Sequence, residues 1–218
     1  MSILRLRIEG PLQSWGTYSR FTERDTAREP SKSGVIGLLC SALGRPRTAD
    51  VSDLAALRMA VRVEREGFLA NDFHTVQNVP KASGATPDTV VSNRYYLADG
   101  CFQVFLEGDN DLLLEISNAL SKPRWALFLG RKSFIPSAPI LVERRLQTGA
   151  LNDVVRISEW LGRTHEREND NDRLRTVLEC GRGEGEPRLD VPVSFSERKF
   201  TMRYVKQGWV DNPCPRGK

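Results

Sequence analysis

Residues 10–44 read GPLQSWGTYSRFTERDTAREPSKSGVIGLLCSALG, and this stretch decides the fold. It joins an alternating strand to an amphipathic helix through a long basic connection. Just upstream, Leu4, Leu6 and Ile8 fall on one face and Arg5, Arg7 and Glu9 on the other, the period-two pattern of a half-buried strand. Gly10-Pro11 ends it, because Pro11 has no amide hydrogen for a ladder. Downstream, Val35, Leu38, Leu39, Ala42 and Leu43 form one helical stripe, with Ser31 or Ser33 to cap its start and Gly44 to stop it. The connection is far longer than the ~2–6 residues usual between strand and helix. It carries Arg20, Arg24, Arg28 and Lys32. Lys32 stands at the helix mouth beside two hydroxyls and Gly34, where free amides and the helix dipole favour an anion. A nucleotide-hydrolysing P-loop needs Gly-Lys-Ser/Thr in that order, and Ser-Lys-Ser-Gly reverses it. Phosphate binding is the sharper reading; a solvated basic loop is the plainer one.

The 218 residues suffice for one large or two small domains with a real core. No apolar run approaches the ~20 residues of a membrane helix, and MSILRLRIEG reads as a strand rather than a leader, so a cytoplasmic protein is expected. Cys40, Cys101, Cys180 and Cys214 are scattered without a CxxC pair, and the two histidines are His74 and His165. Neither zinc nor a disulfide framework is indicated, no cofactor is expected, and Cys40 and Cys101 fit core positions. Asp109, Asn110 and Asp111 fit a helix cap better than a metal site. The whole-chain charge is +4 but unevenly spread: residues 1–47 carry a net +4, residues 121–147 a net +5, and the remainder −5. Two basic segments in an otherwise acidic chain point to a localised polyanion site.

Along the chain, a short helix opens near Asp50 or Ser52, and Ala60 to Glu66 is a second strand. Asn71 to Arg94 reads as a protruding hairpin whose tip, near Lys81 to Pro87, is rich in turn formers. Cys101 to Glu107 is a third strand, a helix follows from Asn110 or Asp111 to Leu120, and Trp125 to Leu129 has strand length. That order, β-α-β, hairpin, β-α-β, is the ferredoxin-like or RRM-like pattern of an α+β fold with a hairpin inserted at its middle. Gly130-Arg131-Lys132-Ser133 is a basic glycine turn of the kind that wraps a phosphate. The last third starts near Pro139, with Ile140 to Arg144 as a strand candidate. A helix over Ala150 to Leu161, a charge run at Arg163 to Arg173, and strands at Arg175 to Cys180, Asp190 to Phe195 and Lys199 to Val205 follow. The expected organisation is 1–138 as an RNA-binding domain with a 71–94 insertion. Residues 139–218 would be a small C-terminal α+β region, its antiparallel sheet packed on the first, ending in a mobile tail.

Several uncommon strings carry a family resemblance. GPLQSWG, then Arg24-Asp-Thr26-Ala-Arg28-Glu-Pro30-Ser-Lys-Ser33-Gly34, then GLL and ALG, together with DFHTV at Asp72 to Val76, NRYYLADGCF at Asn93 to Phe102 and KPRWALFLGRKSFIPSAP at Lys122 to Pro139, occur in order. Over about the first two-thirds of its length the chain resembles the CasD family of the RAMP superfamily. These are the subunits that hold the crRNA 5′ handle in the type I-E CRISPR ribonucleoprotein complex, Cascade, an antiviral defence machine. The resemblance implies a non-catalytic role, with the 71–94 hairpin as a thumb against the backbone subunit CasC and further contacts to the large subunit CasA. Neither a membrane nor a small-molecule substrate is expected.

RNA-binding candidates are Gln13, Trp15, Arg24, Thr26, Arg28, Lys32, Ser33, Arg94, Tyr95, Arg131, Lys132 and Ser133. Single-strand recognition combines backbone neutralisation with base stacking, for which Trp15, Phe21, Tyr95 and Tyr96 are available. Thumb and partner contacts fall to Phe73, His74, Val76 and Lys81. A metal-independent endoribonuclease would use His74 with Tyr95 or Tyr96. A purely protein-binding scaffold is the third reading.

Overall fold

The computed structural model describes residues 1–16, 22–84, 88–162 and 173–213. Two sheets and a few helices make a mixed α+β fold. In chain order the elements are β1 (Ser2–Glu9), β2 (Leu12–Gln13), β3 (Glu23–Arg24), α1 (Lys32–Leu43), α2 (Ser52–Ala55), β4 (Arg58–Arg65), β5 (Phe68–Val79) and β6 (Asp88–Ala98). Then come β7 (Cys101–Gly108), α3 (Asn110–Ser121), β8 (Gln147–Thr148), α4 (Leu151–Ile157), β9 (Arg173–Cys180), β10 (Glu186–Ser194) and β11 (Lys199–Asp211).

The larger sheet has seven strands in the order β10-β11-β9-β4-β7-β1-β8, all paired antiparallel. Leu4, Leu6 and Ile8 of β1, Val61 of β4 and Val104 of β7 point to one face. There α1 and α3 cover them with Val35, Leu39, Leu113 and Ile116, each buried. Full burial of each such side chain stabilises by about 1.5–3 kcal/mol. α1 begins as its sequence requires: the Ser31 hydroxyl accepts from the Gly34 amide, and Gly44 closes the helix at φ 74. α3 is capped by Asp109, whose carboxylate accepts from the amides of Asp111 and Leu112.

β1 is not half-buried as its alternation suggests. Its other face is covered too: α4 packs Leu151, Val154 and Val155 onto Ile3, Ala60 and Phe105, while Arg5 and Glu9 are nearly inaccessible, Arg5 paired with Glu143 and Glu9 with Arg7 and Arg65. α4, at seven residues, is shorter than its apolar pattern and ends on a charge. Arg62, fully buried, donates to the carbonyls of Val155, Ser158 and Glu159 at 2.7–2.8 Å and pairs with Glu64 at 2.6 Å. A cation on a helix's last carbonyls satisfies its open end.

Two further expectations change. Trp125 to Leu129 forms no strand: its ends bond irregularly, Trp125 N–H to the Ser41 carbonyl and Leu129 N–H to that of Phe134. Ile140 to Arg144 is likewise irregular. Residues 137–142 still cover the edge of β1 through three amide bonds, Ser137 to Glu9, Arg7 to Ile140 and Val142 to Arg5, leaving Leu6 and Leu141 as a lone bridge. The C-terminal strands, paired antiparallel as expected, are not a separate sheet packed on the first. β9 pairs with β4 through Ala60 and Leu178, Val61 and Val177, and Arg62 and Thr176, extending the same sheet. The charge run at 163–172 and the tail beyond residue 213 lie outside the described residues.

The second sheet is built on β6. β5 pairs along one edge from Phe68 opposite Ala98 to Val79 opposite Asp88. β2 pairs antiparallel and β3 parallel at different heights of the other edge. β5 is exposed almost throughout, Phe73 at 67%, so the hairpin packs little against the rest of the chain.

Candidate nucleic-acid interface

Three arginines far apart in sequence meet at the middle of β6. The parallel pairing sets Arg24 beside Arg94, and Asn93 fixes that register by donating its side-chain Nδ2 to Glu23 Oε1 (2.9 Å) and its backbone amide to the Thr22 carbonyl (2.8 Å). The third arrives from the turn after Leu129. Gly130 stands at φ +90 with its α-carbon so close to Ser14 that a β-carbon would fall 1.8 Å from the Ser14 carbonyl oxygen, so only glycine fits. The turn closes with Phe134 N–H on the Arg131 carbonyl, and Arg131 Nη2 then donates to the Tyr95 carbonyl at 2.8 Å while its guanidinium lies 5.2 Å from the Phe134 ring centroid. Arg131's pKa is held below the ordinary arginine value by burial first, then by the positive charges of Arg94 and Arg24; Asp72 and Tyr96 oppose this. The cations therefore share one field, and the cluster has positive charge in excess. Lys132 and Ser133 are exposed on the same turn. Arg94 also bonds Ser92 Oγ (3.3 Å) and His74 Nδ1 (3.2 Å).

Other candidates lie elsewhere. Gln13 and Trp15 are buried, at 0% and 1% exposure: Trp15 Nε1 donates to Gln13 Oε1 (3.1 Å), and Gln13 Nε2 donates to the Gly100 carbonyl (2.7 Å). An indole enclosed in this way cannot stack on a base. Thr26 pins the long loop, its hydroxyl accepting the Trp15 amide at 2.8 Å. Tyr96 packs on Phe134, ring centroids 6.0 Å apart, while Tyr95 alternates to the other face of β6. Phe21 lies outside the described residues. Arg28 is exposed and lines a different cleft, with Glu29, Arg175 and Arg188.

Lys32 departs most from its expected role. The anion at the α1 mouth is the protein's own. Asp190 of β10 takes the Lys32 amide on Oδ2 at 2.8 Å and binds Arg203 of β11 with both oxygens, at 2.6 and 2.9 Å. Lys32 Nζ is buried on both oxygens of Glu179 of β9, at 3.1 Å each. Burial lowers the Lys32 pKa, and Glu179 offsets this only in part. Burial works against the Asp190 charge, but Arg203's bonds and charge more than compensate, leaving its carboxyl below the ordinary range. Ser33 sits within this closed mouth, its hydroxyl 3.5 Å from that of Ser31.

On the hairpin, His74 stands opposite Ser92, Val76 opposite Val90, and Lys81 at the tip pairs with Asp88 at 3.1 Å. Cys40 and Cys101 are core thiols, burial pushing them up to about 11 and about 12. Sequence reasoning missed Glu179, Asp190 and Arg203, which lie 147 to 171 positions from Lys32. Only a β pattern marked their strands.

These features define a class: an antiparallel α+β protein that gathers cations at the foot of a long β-hairpin. Comparison with known proteins makes it specific. Residues 3–206 match the family model described as CRISPR-associated protein (Cas_Cas5), and the chain belongs to that family. It is 32% identical over 160 residues to the CRISPR system Cascade subunit CasD of Escherichia coli (strain K12), covering 65% of this chain and 70% of that protein. Among solved structures it resembles a chain described as "Crystal structure of Cas protein", at 41% identity, TM-score 0.78, and 99% and 98% coverage of the two chains. A chain of a "CRISPR RNA-guided surveillance complex" aligns at 32% identity, TM-score 0.83, and 98% and 92% coverage. No helix among the described residues is long and apolar enough to cross a membrane.

Proposed function

We propose that this chain is a CasD-like subunit of a type I-E CRISPR surveillance complex. It holds the 5′ handle of the crRNA on the Arg24, Arg94 and Arg131 cluster, with Lys132 and Ser133 at its rim. The carrying observation is that three cations from three chain segments share one surface, where each can neutralise a phosphate. Likeness to CasD and to a chain of an RNA-guided complex supports the choice of ligand. In this reading the β1-α1-β4-β7-α3 core is ferredoxin-like, β7 lying between β4 and β1, and residues 1–138 form the RNA-binding unit. The β5–β6 hairpin is the thumb, offering Phe73 and Val76 to the backbone subunit CasC, and CasA is a further contact. Capping that filament fixes the register of the guide by position alone, in the cytoplasm and without catalysis.

The ribonuclease alternative would need His74 as a proton carrier. Its Nδ1 lies 3.2 Å from Arg94 Nη2, a partner that can only donate, so that lone pair is already taken up within the hairpin. Purification of the chain with handle RNA in EDTA tests all three readings. Intact RNA whose affinity falls in Arg94→Ala and Arg131→Ala supports the proposal. RNA cut by the wild type but not by His74→Ala supports the nuclease, and partners without RNA support the scaffold.

A further inference from the structure

A second cleft, with a volume of about 600 Å³, opens between the loop before α1 and the outer strands of the large sheet. Its floor is a fixed ion network. Glu29, 4% exposed, accepts from Arg175 Nη1 at 2.8 Å and from Arg188 Nη1, and Arg175 turns its other two nitrogens to Glu66 at 2.6 and 3.1 Å. Burial raises Glu29's pKa, but the two arginines hold it below the ordinary range, so the floor stays ionised. With Arg175 fully used, the cleft still offers two cations. Arg28 is exposed with no hydrogen bond or ion pair among the described residues, and Arg188 gives only one nitrogen to Glu29. The walls are apolar, Pro187 and Leu189, the latter 44% exposed, and Gln207 brings an exposed amide carrying both a donor and an acceptor.

Neither a bare anion nor an apolar ligand uses all of these groups. The volume exceeds a phosphate, and an apolar guest would leave two guanidinium groups unused. A planar base with an attached phosphate uses every one: apolar walls for the ring, an amide for its edge, and arginine forks for the phosphate. The loop is also continuous with the first cluster. Arg28 lies four residues beyond Arg24, at most about 13–14 Å of extended chain, a gap that a strand of a few nucleotides spans.

We infer that this cleft, lined by Arg28, Pro187, Arg188, Leu189 and Gln207, seats one unstacked nucleotide of the bound RNA, its phosphate on Arg28 and Arg188 and its base edge on Gln207. The inference rests on the RNA-binding reading and adds a base-reading subsite to a surface that otherwise grips only the backbone.

The test uses the full chain and the repeat-derived 5′ end of the crRNA, synthesised as a series with one abasic position at a time. Fluorescence anisotropy is measured against wild type, Arg28→Ala, Gln207→Ala and Arg131→Ala. Arg28 and Gln207 are exposed, so these variants keep the fold. One abasic position is expected to weaken wild-type binding roughly three- to tenfold. Gln207→Ala is expected to cost as much on intact RNA and nothing further on that abasic RNA. In Arg28→Ala the slope of log affinity against log salt should fall by about 0.7. If Arg131→Ala weakens binding while Gln207→Ala, Arg28→Ala and every abasic RNA leave it unchanged, the subsite is wrong and the RNA-binding reading survives. If no RNA binds the wild type, both fail. Protein-to-protein cross-links from an acidic segment to Arg28 in the assembled complex, in place of RNA cross-links, would also overturn the subsite.

Discussion

Replacing Asp190 by Asn separates two accounts of the α1 mouth. Asp190 is 2% exposed and accepts three hydrogen bonds, two from Arg203 and one from the Lys32 amide. With Lys32 paired to Glu179, and Arg203 also 3.5 Å from Glu179, two cations and two carboxylates balance across α1, β9, β10 and β11. Asparagine keeps the volume and one acceptor but leaves buried Lys32 and Arg203 to share the single carboxylate of Glu179. Breaking one partner of a buried pair costs about 3–5 kcal/mol, which includes the loss of a charged acceptor at a helix start. At roughly 2–4 °C per kcal/mol for a chain of this size, Tm should fall by about 6–20 °C. Urea unfolding and thermal scans read both numbers. Adding Arg203→Met should recover at least half of the loss, because the stranded charge is then gone. Affinity for RNA per folded molecule should not move. A loss under about 1 kcal/mol, or a variant that stays folded yet loses RNA, would refute the assignment of this mouth to structure.

Three further outcomes are expected. In Gly34→Ala the new methyl meets the Trp15 ring at 2.7 Å. Chemical denaturation should therefore show a loss of about 1–3 kcal/mol from overpacking, against the ~1 kcal/mol gain that helix propensity alone would give. Asp190 and Glu29 both hold their folded-state pKa below the ordinary carboxylate value. The stability they contribute is thus complete above about pH 4 and disappears as pH falls through those lowered values. Asp190→Asn should flatten this acid limb in unfolding curves, and an unchanged limb would assign acid sensitivity to other groups. Phe73→Ser with Val76→Ser should leave Tm within about 1–2 °C, since both side chains are largely exposed. Co-purification of the backbone subunit should drop sharply, and full retention would remove the hairpin from that contact.

The first half of the fold was legible because its signals are local. Leu4, Leu6 and Ile8 alternate, Val35 to Leu43 make a stripe, Ser31 and Gly44 bound a helix, and the turn formers after Val79 mark a hairpin tip. What failed depended on partners distant in the chain. Arg5 and Glu9 read as solvent-facing, yet both are buried, Arg5 on Glu143, 138 positions later, and Glu9 on Arg7 and on Arg65 of β4. The 125–129 run has the apolar residues of a strand, yet Trp125 is 45% exposed and only Leu129 is buried; the Trp125 amide bonds the Ser41 carbonyl of α1 instead of a ladder, a partner that periodicity cannot show. The site divided in the same way. Arg24, Arg94 and Arg131 stand out in the sequence as cations of the long loop, the hairpin root and a glycine turn, and the fold brings them together through the β3–β6 register and the Arg131 bond to the Tyr95 carbonyl. Lys32 had the same local signature. Its burial was invisible because Glu179 and Asp190 arrive from β9 and β10. Trp15 illustrates the ambiguity of an aromatic beside a basic loop: Gln13 satisfies its indole N–H, and Gly34 leaves room for its ring.

The salt dependence of crRNA-handle binding tests the central claim most directly. Each phosphate neutralised on a single strand contributes about 0.7 to the slope of log affinity against log salt. Arg24→Ala, Arg94→Ala and Arg131→Ala should each lower that slope by about this amount, and Lys32→Met should leave it where it was. Slopes unchanged in all three arginine variants, with RNA still bound, would mean that the strand lies on some other surface.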